Sequence, residues 1–320
     1  MMLPEIKIRR LPCPEVREGV FALYRQLFGE DEVEIVRPLF DGLEKDFSSD
    51  EIACVTAADG RLTGSAMGSW SLICPPLGAL NGVGVLPEMR GKKIAESCCR
   101  SILERLDVSG VRGTFLATGN PAAARLYAKL GFSFLPGSTL MLRLADPGDD
   151  AFSFLRDCSP RGIGGEAAPG DASCRLPLIP LIVSCHRLAL DPLLSLWSYP
   201  VMLTSCQGLY PRFEKLVRQG GCWFQLRGEN GFLAAVGTLR PEDPAEALIN
   251  VIAHPDCPEA EEKMWRHLLE HCGKNKLRPL VPVQETMRER RRFLESCGLV
   301  LHGRKSFHEG CLRAEYCLYR

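Results

Sequence analysis

The sequence predicts an α/β chain with mixed sheets, laid out as two tandem copies of one fold. Three observations predict it. Strand-like and helix-like segments alternate through the first 145 residues. Two hairpin signals, Asp59-Gly60 and Asn230-Gly231, sit between apolar runs, where both turn residues need positive φ. The segments after each hairpin keep the same order. The hairpin glycine lies 27 and then 24 residues before a proline, and that proline lies 44 and then 43 residues before a glycine ending a helix. An ordered set of matches indicates duplication.

In the first copy, "EIKIRR" (5–10) is a short strand. "PEVREGVFALYRQLFG" (14–29) has helical spacing at Val20, Leu23, Leu27 and Phe28. A second helical region spans 31–47, with Pro38 as a kink or break. "EIACVTAA" and "RLTGSAMGSWSLIC" flank Asp59-Gly60 as a hairpin, and "ALNGVGVL" (79–86) is a further strand ending at Pro87. The helix over 93–107 carries Ile94, Cys98, Ile102 and Leu106 every four residues, beside Ala95, Cys99 and Leu103, which makes one broad buried stripe. "GTFLAT" (113–118) is a strand. "NPAAARLYAKLGF" (120–132) is a helix capped by Asn120, started by Pro121 and stopped at Gly131. "SFLPGSTLMLRL" closes the unit as a hairpin pair.

Residues 146–173 turn rich in Gly, Pro, Asp and Ser and read as a linker or long surface loop. The rest repeats the first plan. "ALINVIAHP" matches "ALNGVGVLP", "EEKMWRHLLEHC" takes the place of the long helix, "LVPV" is the next strand, and "RERRRFLESCGL" matches "AARLYAKLGF".

Composition narrows the function. The 320 residues carry 39 basic and 39 acidic side chains, without the basic balance of a nucleic-acid binder. The run "RERRR" (288–292) reads as a solvated helix face. The start "MMLPEIKIRR" does not suit a signal peptide, and no window of about 18 apolar residues is present, so a cytoplasmic protein is expected. Its fifteen cysteines are then expected reduced. His254, Cys257, His267, His271 and Cys272 have a spacing faintly like a zinc finger, but His267 and His271 fall in a helix that needs a buried face, and no metal is expected.

The stretch "VGVLPEMRGKKIA" (83–95) carries the chemistry. A strand ends, a proline turns the chain, and a helix begins. The first N–H groups of a helix lack internal partners and sit at its positive dipole end, which suits a pyrophosphate. Gly91 and Ala95 are small, and Arg90, Lys92 and Lys93 add charge. A surface turn with ordinary basic residues is the alternative. Tyr127 on the capped helix likewise has two readings, a packed core aromatic or a proton donor.

"VLPEMRGKKIA" followed by "NPAAARLYAKLGF" resembles the two signature segments of the GCN5-related N-acetyltransferase (GNAT) superfamily, over roughly residues 5–145. The resemblance implies two tandem GNAT-like acyl-CoA N-acyltransferase folds: residues 1–145 catalytic, 146–173 a linker, and 174–320 a degenerate copy. It implies acetyl-CoA as donor and a small-molecule or peptide amine as acceptor; the charge balance and the lack of a long apolar window leave no nucleic-acid or membrane partner expected. It implies that Gly84 and Val85 pair with the pantetheine arm and that Arg90, Gly91, Lys92, Lys93, Ile94 and Ala95 hold the pyrophosphate. Asn120 would bond the cofactor or order its helix, and Tyr127 would protonate the leaving thiolate.

Lys93 departs from the family, which has glycine there; its Cβ would crowd the phosphates or its charge would compensate. The strand offers Asn81 but no carboxylate, so the general base is open: a water chain, or Glu30, Asp31, Glu32 or Glu34 at the junction of the first two helices. For each of these the alternative is an exposed acidic helix start. In the second copy Leu294 stands at the position of Tyr127, Met287 at that of Asn120, and acidic "DCPEAEE" follows its strand. A non-catalytic acyl-CoA-binding or scaffold protein is the competing reading.

Overall fold

The computed structural model describes residues 5–74, 76–136, 138–184, 190–191, 196–197, 209–285, 287–309 and 312–320. They fall into two units. The first holds the chain up to Asp157, together with Arg175–Ile179 and the stretch ending at Pro211; the second holds Cys158–Cys174 and the chain from Arg212 onward, with part of the intervening segment.

The first unit runs β1 (Ile6–Arg10), α1 (Pro14–Phe28), α2 (Glu30–Phe40), β2 (Ser48–Thr56), β3 (Leu62–Ser71), β4 (Leu77–Val85), a 3-10 turn (Pro87–Met89), α3 (Ile94–Val108), β5 (Gly113–Ala117), α4 (Pro121–Lys129), β6 (Ser133–Phe134), β7 (Leu140–Leu144) and α5 (Ala151–Asp157). Its seven strands form one mixed sheet in the order β1-β2-β3-β4-β5-β7-β6. Only β4 and β5 pair in parallel, because α3 crosses over between them. Gly137, within the predicted closing hairpin, lies outside the described residues.

Each face of this sheet has its own core. The predicted stripe of α3 is buried at Ile94, Cys98, Ile102 and Leu106, and packs with Tyr127 of α4 and with Leu130 just after it on one face. α1 and α2 cover the other face with Val20, Phe21, Tyr24, Val33 and Val36 over Ile52 and Met67. Gly64 and Gly68 let α3 lie close to β3: a Cβ at Gly64 would stand 2.6 Å from the Ile94 side chain. Pro38 does not end α2, which continues to Phe40. Pro38 lies inside the helix, two residues before its end, and the helix stops short of the predicted residue 47.

Residues 146–173 are more ordered than their composition suggests. Phe154 of α5 is buried beneath Gly113 and packs on Phe115, with ring centroids 6.1 Å apart. β8 (Ala168–Pro169) joins the second sheet. A buried ion pair also belongs to the first unit. Arg175, 2% exposed, binds Glu44 through two guanidinium nitrogens and lies over the Tyr210 ring at 5.1 Å.

After β8 come a 3-10 turn (Ala172–Cys174), α6 (Leu178–Ser184), β9 (Leu190–Asp191), β10 (Leu196–Trp197), α7 (Leu209–Arg218), β11 (Cys222–Arg227), β12 (Leu233–Asp243), β13 (Glu246–Ala253), α8 (Pro258–Lys274), β14 (Arg278–Gln284), α9 (Arg288–Ser296), β15 (Leu301–Glu309) and β16 (Leu312–Tyr319). The order β8-β11-β12-β13-β14-β16-β15 repeats that of the first sheet. Here too the central pair, β13 and β14, is parallel, over Glu246–Leu248 against Arg278–Leu280. The basic run in α9 is only partly a solvated face. Arg290 binds Glu261 at 2.6 Å and Arg291 donates to the Tyr319 hydroxyl at 2.8 Å, because one flank of the helix turns towards α8 and β16.

Candidate active site

The first sheet opens beside β4. β4 pairs with β5 only over Leu77–Ala79 against Gly113–Phe115. Beyond Ala79 the β5-facing backbone of β4 has no strand partner among the described residues. Backbone amides need partners, so this edge suits an extended ligand arm carrying amides of its own. Gly84 and Val85 lie on this stretch. Gly84 is roofed by Leu27 and Phe28 of α1, and the Val85 carbonyl accepts from Arg90 Nε at 3.3 Å.

A bulge bends β4 at the same place. Register with β3 steps from Ser65↔Gly84 to Met67↔Asn81, so Gly82 and Val83 together face Ala66. Gly82 takes φ 56°. Its carbonyl accepts from the Tyr24 hydroxyl at 3.1 Å and from Ser65 Oγ at 2.9 Å. A Cβ on Gly82 would fall on the Tyr24 hydroxyl, so glycine is required twice over. Burial pushes the Tyr24 hydroxyl pKa up and keeps it a donor. Sequence reasoning missed Tyr24, Ser65 and this bulge. The signal available was Asn81-Gly82, a turn dipeptide inside a strand. The second sheet lacks the device: β12 pairs with β13 without a step from Ala235↔Ala253 to Pro241↔Ala247.

The predicted phosphate turn comes next along the chain. Arg90 is exposed, and Gly91 takes φ 79° with open space around its Cα. Lys92 Nζ lies 3.3 Å from Met89 Sδ. No side chain caps α3, whose first amides are therefore available. Ile94 anchors the helix start in the core, and Ala95 is half-buried. Lys93 takes φ 59° at the N-cap, a left-handed conformation that costs a residue with a Cβ about 1 kcal/mol. This position thus keeps a glycine-like backbone with a lysine on it. In the second unit the matching helix has Cys257 at φ −130° and Glu259 and Glu261 in its first turn.

Asn120 is a helix cap: its Oδ1 accepts from the Ala122 N–H at 2.9 Å. The Tyr127 ring is 7% exposed and stacks edge-on against Phe132, with centroids 6.0 Å apart. It belongs to the same apolar cluster as Val83, Val85 and Ile94, on the sheet face that α3 covers. The Tyr127 carbonyl accepts from Leu130 and Phe132, and the Leu294 carbonyl accepts from Cys297 and Leu299 at the same offsets. Leu294 is therefore the structural counterpart of Tyr127 in the second unit.

The four acidic candidates separate. Glu30 binds Arg25 at 2.5 Å and Glu34 binds Arg37 at 2.9 Å, and both are exposed, as is Asp31. Glu32 alone of the four is half-buried, and no cation pairs with it among the described residues; burial raises its pKa. Burial in the α3 core pushes the Cys98 thiol up to about 12 and Cys99 higher still.

Among the described residues no group of three or more His, Cys, Asp or Glu could hold a metal. The His and Cys set of the second unit is dispersed: His254 Nδ1 accepts from the Asp256 N–H at 3.2 Å, while His267 and His271 pack on Phe224. No helix among the described residues is long and apolar enough to cross a membrane.

The family model described as acetyltransferase (GNAT) family matches residues 17–132. No curated protein matches the chain. Among solved structures it is similar to the GNAT-family N-acetyltransferase YhbS from Escherichia coli in complex with CoA, at 21% identity and TM-score 0.36 over 46% of this chain and 83% of that one. It is also similar to yncA of Salmonella typhimurium with acetyl-CoA, at 10% identity and TM-score 0.38 over 48% and 90%. A third is the spermidine/spermine N-acetyltransferase SpeG of Vibrio cholerae, at 14% identity and TM-score 0.38 over 48% and 91%.

Proposed function

We propose, from the GNAT-family domain at residues 17–132, that this protein is an acyl-CoA-dependent N-acyltransferase moving an acetyl group from acetyl-CoA to a primary amine. The observation that carries the reading is the opening of β4 away from β5 beside the uncapped start of α3. Backbone amides and a helix N-terminus are what an amide-bearing arm ending in a pyrophosphate requires. The residues present fit that group. Gly84 and Val85 would hold the arm. Arg90, Gly91, Lys92, Lys93, Ile94 and Ala95 would surround the pyrophosphate, with open space at Gly91.

When bound, acetyl-CoA supplies an activated thioester carbonyl. β4 backbone N–H groups polarise it, in the manner of an oxyanion site. Asn120 fixes the start of α4, and α4 presents Tyr127, whose hydroxyl gives its proton to the departing sulfur. Transfer runs directly from donor to amine. The second unit reads as a degenerate copy: Leu294 cannot donate a proton, and Glu259 and Glu261 repel phosphate.

A non-catalytic acyl-CoA-binding protein is the second reading. Lys93 and the lack of a carboxylate on β4 favour it. Calorimetry with acetyl-CoA, followed by thiol release with a panel of primary amines, separates the two. Binding with turnover, and a fall in turnover in Tyr127→Phe, is expected. Binding without thiol release from any amine supports the second reading.

A further inference from the structure

Buried polar side chains gather at the start of β2. Ile52 of β2 and Met67 of β3 belong to the α1–α2 core, so Asp50 and Ser69, each two positions along its strand, lie on that same face. Asp50 and Ser69 are also direct cross-strand partners. Asp50 is 5% exposed and Ser69 is fully buried. The Asp50 Oδ2 accepts from Ser48 Oγ at 2.8 Å. Its Oδ1 has no hydrogen-bond partner, and neither has Ser69 Oγ. Two orphaned polar atoms on paired residues cost free energy unless something joins them.

The charges around Asp50 do not balance. Glu44, from the connection between α2 and β2, is held by two guanidinium nitrogens of Arg175, and both side chains are buried. Arg175 begins the segment Arg175–Ile179 of the first unit and lies over the Tyr210 ring of α7. Asp50 feels the charges of Arg175 and Glu44, which oppose each other. The other nearby cations are taken up. Glu51, next along β2, faces α3 and binds Arg105 at 2.8 Å. On α1 and α2, Arg17 binds Asp41 and Arg37 binds Glu34. One guanidinium thus meets two carboxyl groups, which leaves one uncompensated negative charge among the described residues if both ionise. Burial pushes the Asp50 carboxyl up, and the Ser69 and Ser48 hydroxyls and the Arg175 charge offset part of that push.

We propose that Asp50 is a neutral carboxylic acid whose proton, carried on Oδ1 and donated to Ser69 Oγ, keeps Arg175 paired with Glu44 and so latches the Arg175–Ile179 segment onto the first unit. One proton satisfies both orphaned atoms and leaves one carboxylate for one guanidinium. When Asp50 loses that proton to solvent, two buried carboxylates face one cation. The uncompensated charge is relieved when the segment lifts and water reaches Glu44 and Asp50. The latched state binds one more proton than the lifted state, so rising pH favours lifting. The dependence begins at the ordinary carboxylate value and ends at the raised one. This pH-sensitive latch goes beyond the acyltransferase reading and does not rest on it.

The test follows amide hydrogen exchange in the full chain across pH, corrected for the intrinsic pH dependence of exchange. The reporter is the segment Arg175–Ile179, where the Ile179 N–H donates to the Leu176 carbonyl at 3.0 Å, and α3 is the internal control. In the parent, protection of the segment is expected to fall by up to ~10-fold per pH unit within the window, the limit for one proton, while α3 stays protected. Asp50→Asn keeps the neutral form at every pH and is expected to hold the segment without pH dependence. Ser69→Ala removes the acceptor of the proton and is expected to move the fall to lower pH. Infrared difference spectra, parent minus Asp50→Asn, are expected to show a protonated-carboxyl band at a pH above the ordinary carboxylate range. Constant protection in the parent overturns the proposal, as does the parent's slope in Asp50→Asn or a missing carboxyl band. A fall moved to higher pH by Ser69→Ala also overturns it, because Ser69 would then donate to an ionised Asp50. If Asp50→Asn does not fold, the parent profile and Ser69→Ala decide.

Discussion

The Tyr24 hydroxyl donates to the Gly82 carbonyl at 3.1 Å, across 58 positions of sequence. The bond ties α1 to the bulge of β4, and it fixes the bend that frees the strand edge. Gly82→Ala places a methyl group on that hydroxyl and a side chain at positive φ. A loss of about 2–3 kcal/mol of stability is expected from overpacking and backbone strain. Tyr24→Phe leaves Ser65 on the carbonyl and is expected to cost about 1 kcal/mol. Urea unfolding measures both. A silent Gly82→Ala would show that the bend does not need glycine.

Lys93→Gly relaxes a left-handed residue and is expected to raise stability by up to about 1 kcal/mol. It also removes a positive charge at the α3 start. Acetyl-CoA affinity is therefore expected to fall several-fold while the urea midpoint rises. Affinity that rises along with stability would mark the lysine as an obstruction to the phosphates.

Tyr127→Phe keeps the ring against Phe132 and is expected to leave acetyl-CoA affinity nearly unchanged. Loss of one general acid is expected to lower kcat roughly 100-fold. Tyr127→Leu copies the residue at the matching position of the second unit and is expected to lose the same activity. Steady-state rates with both variants distinguish a proton donor from a packed aromatic.

Burial raises the folded pKa of Glu32 above its ordinary value. The folded chain therefore keeps a proton that the unfolded chain releases, and stability falls as pH rises from the ordinary value through the raised one. Glu32→Gln removes this dependence. It is expected to match the parent near pH ~4 and to exceed it near pH ~8 in urea midpoints. A variant that is less stable than the parent at the higher pH would give Glu32 a structural partner instead.

Arg175→Met leaves Glu44 buried without its cation and is expected to cost about 3–5 kcal/mol. Adding Glu44→Gln is expected to recover part of that loss. A double-mutant cycle by urea unfolding reads the coupling.

The sequence by itself determined the elements from β1 to β7 and their order. Caps, hairpin dipeptides and the apolar stripe of α3 act through residues a few positions apart, so they can be read along the chain. The same local signals placed the α3 start and the capped α4 helix, and aligned Leu294 with Tyr127. The tertiary structure alone decided what surrounds the features of the candidate site. A register step between β3 and β4 turned Asn81-Gly82 into a bulge. Contacts between α1 and β4 drew in Tyr24, and desolvation set Glu32 apart from three acids of similar sequence surroundings. Arg175 joined the core of the first unit from beyond a Gly- and Pro-rich segment. Desolvation and pairing depend on partners tens of residues distant, and no local pattern encodes them.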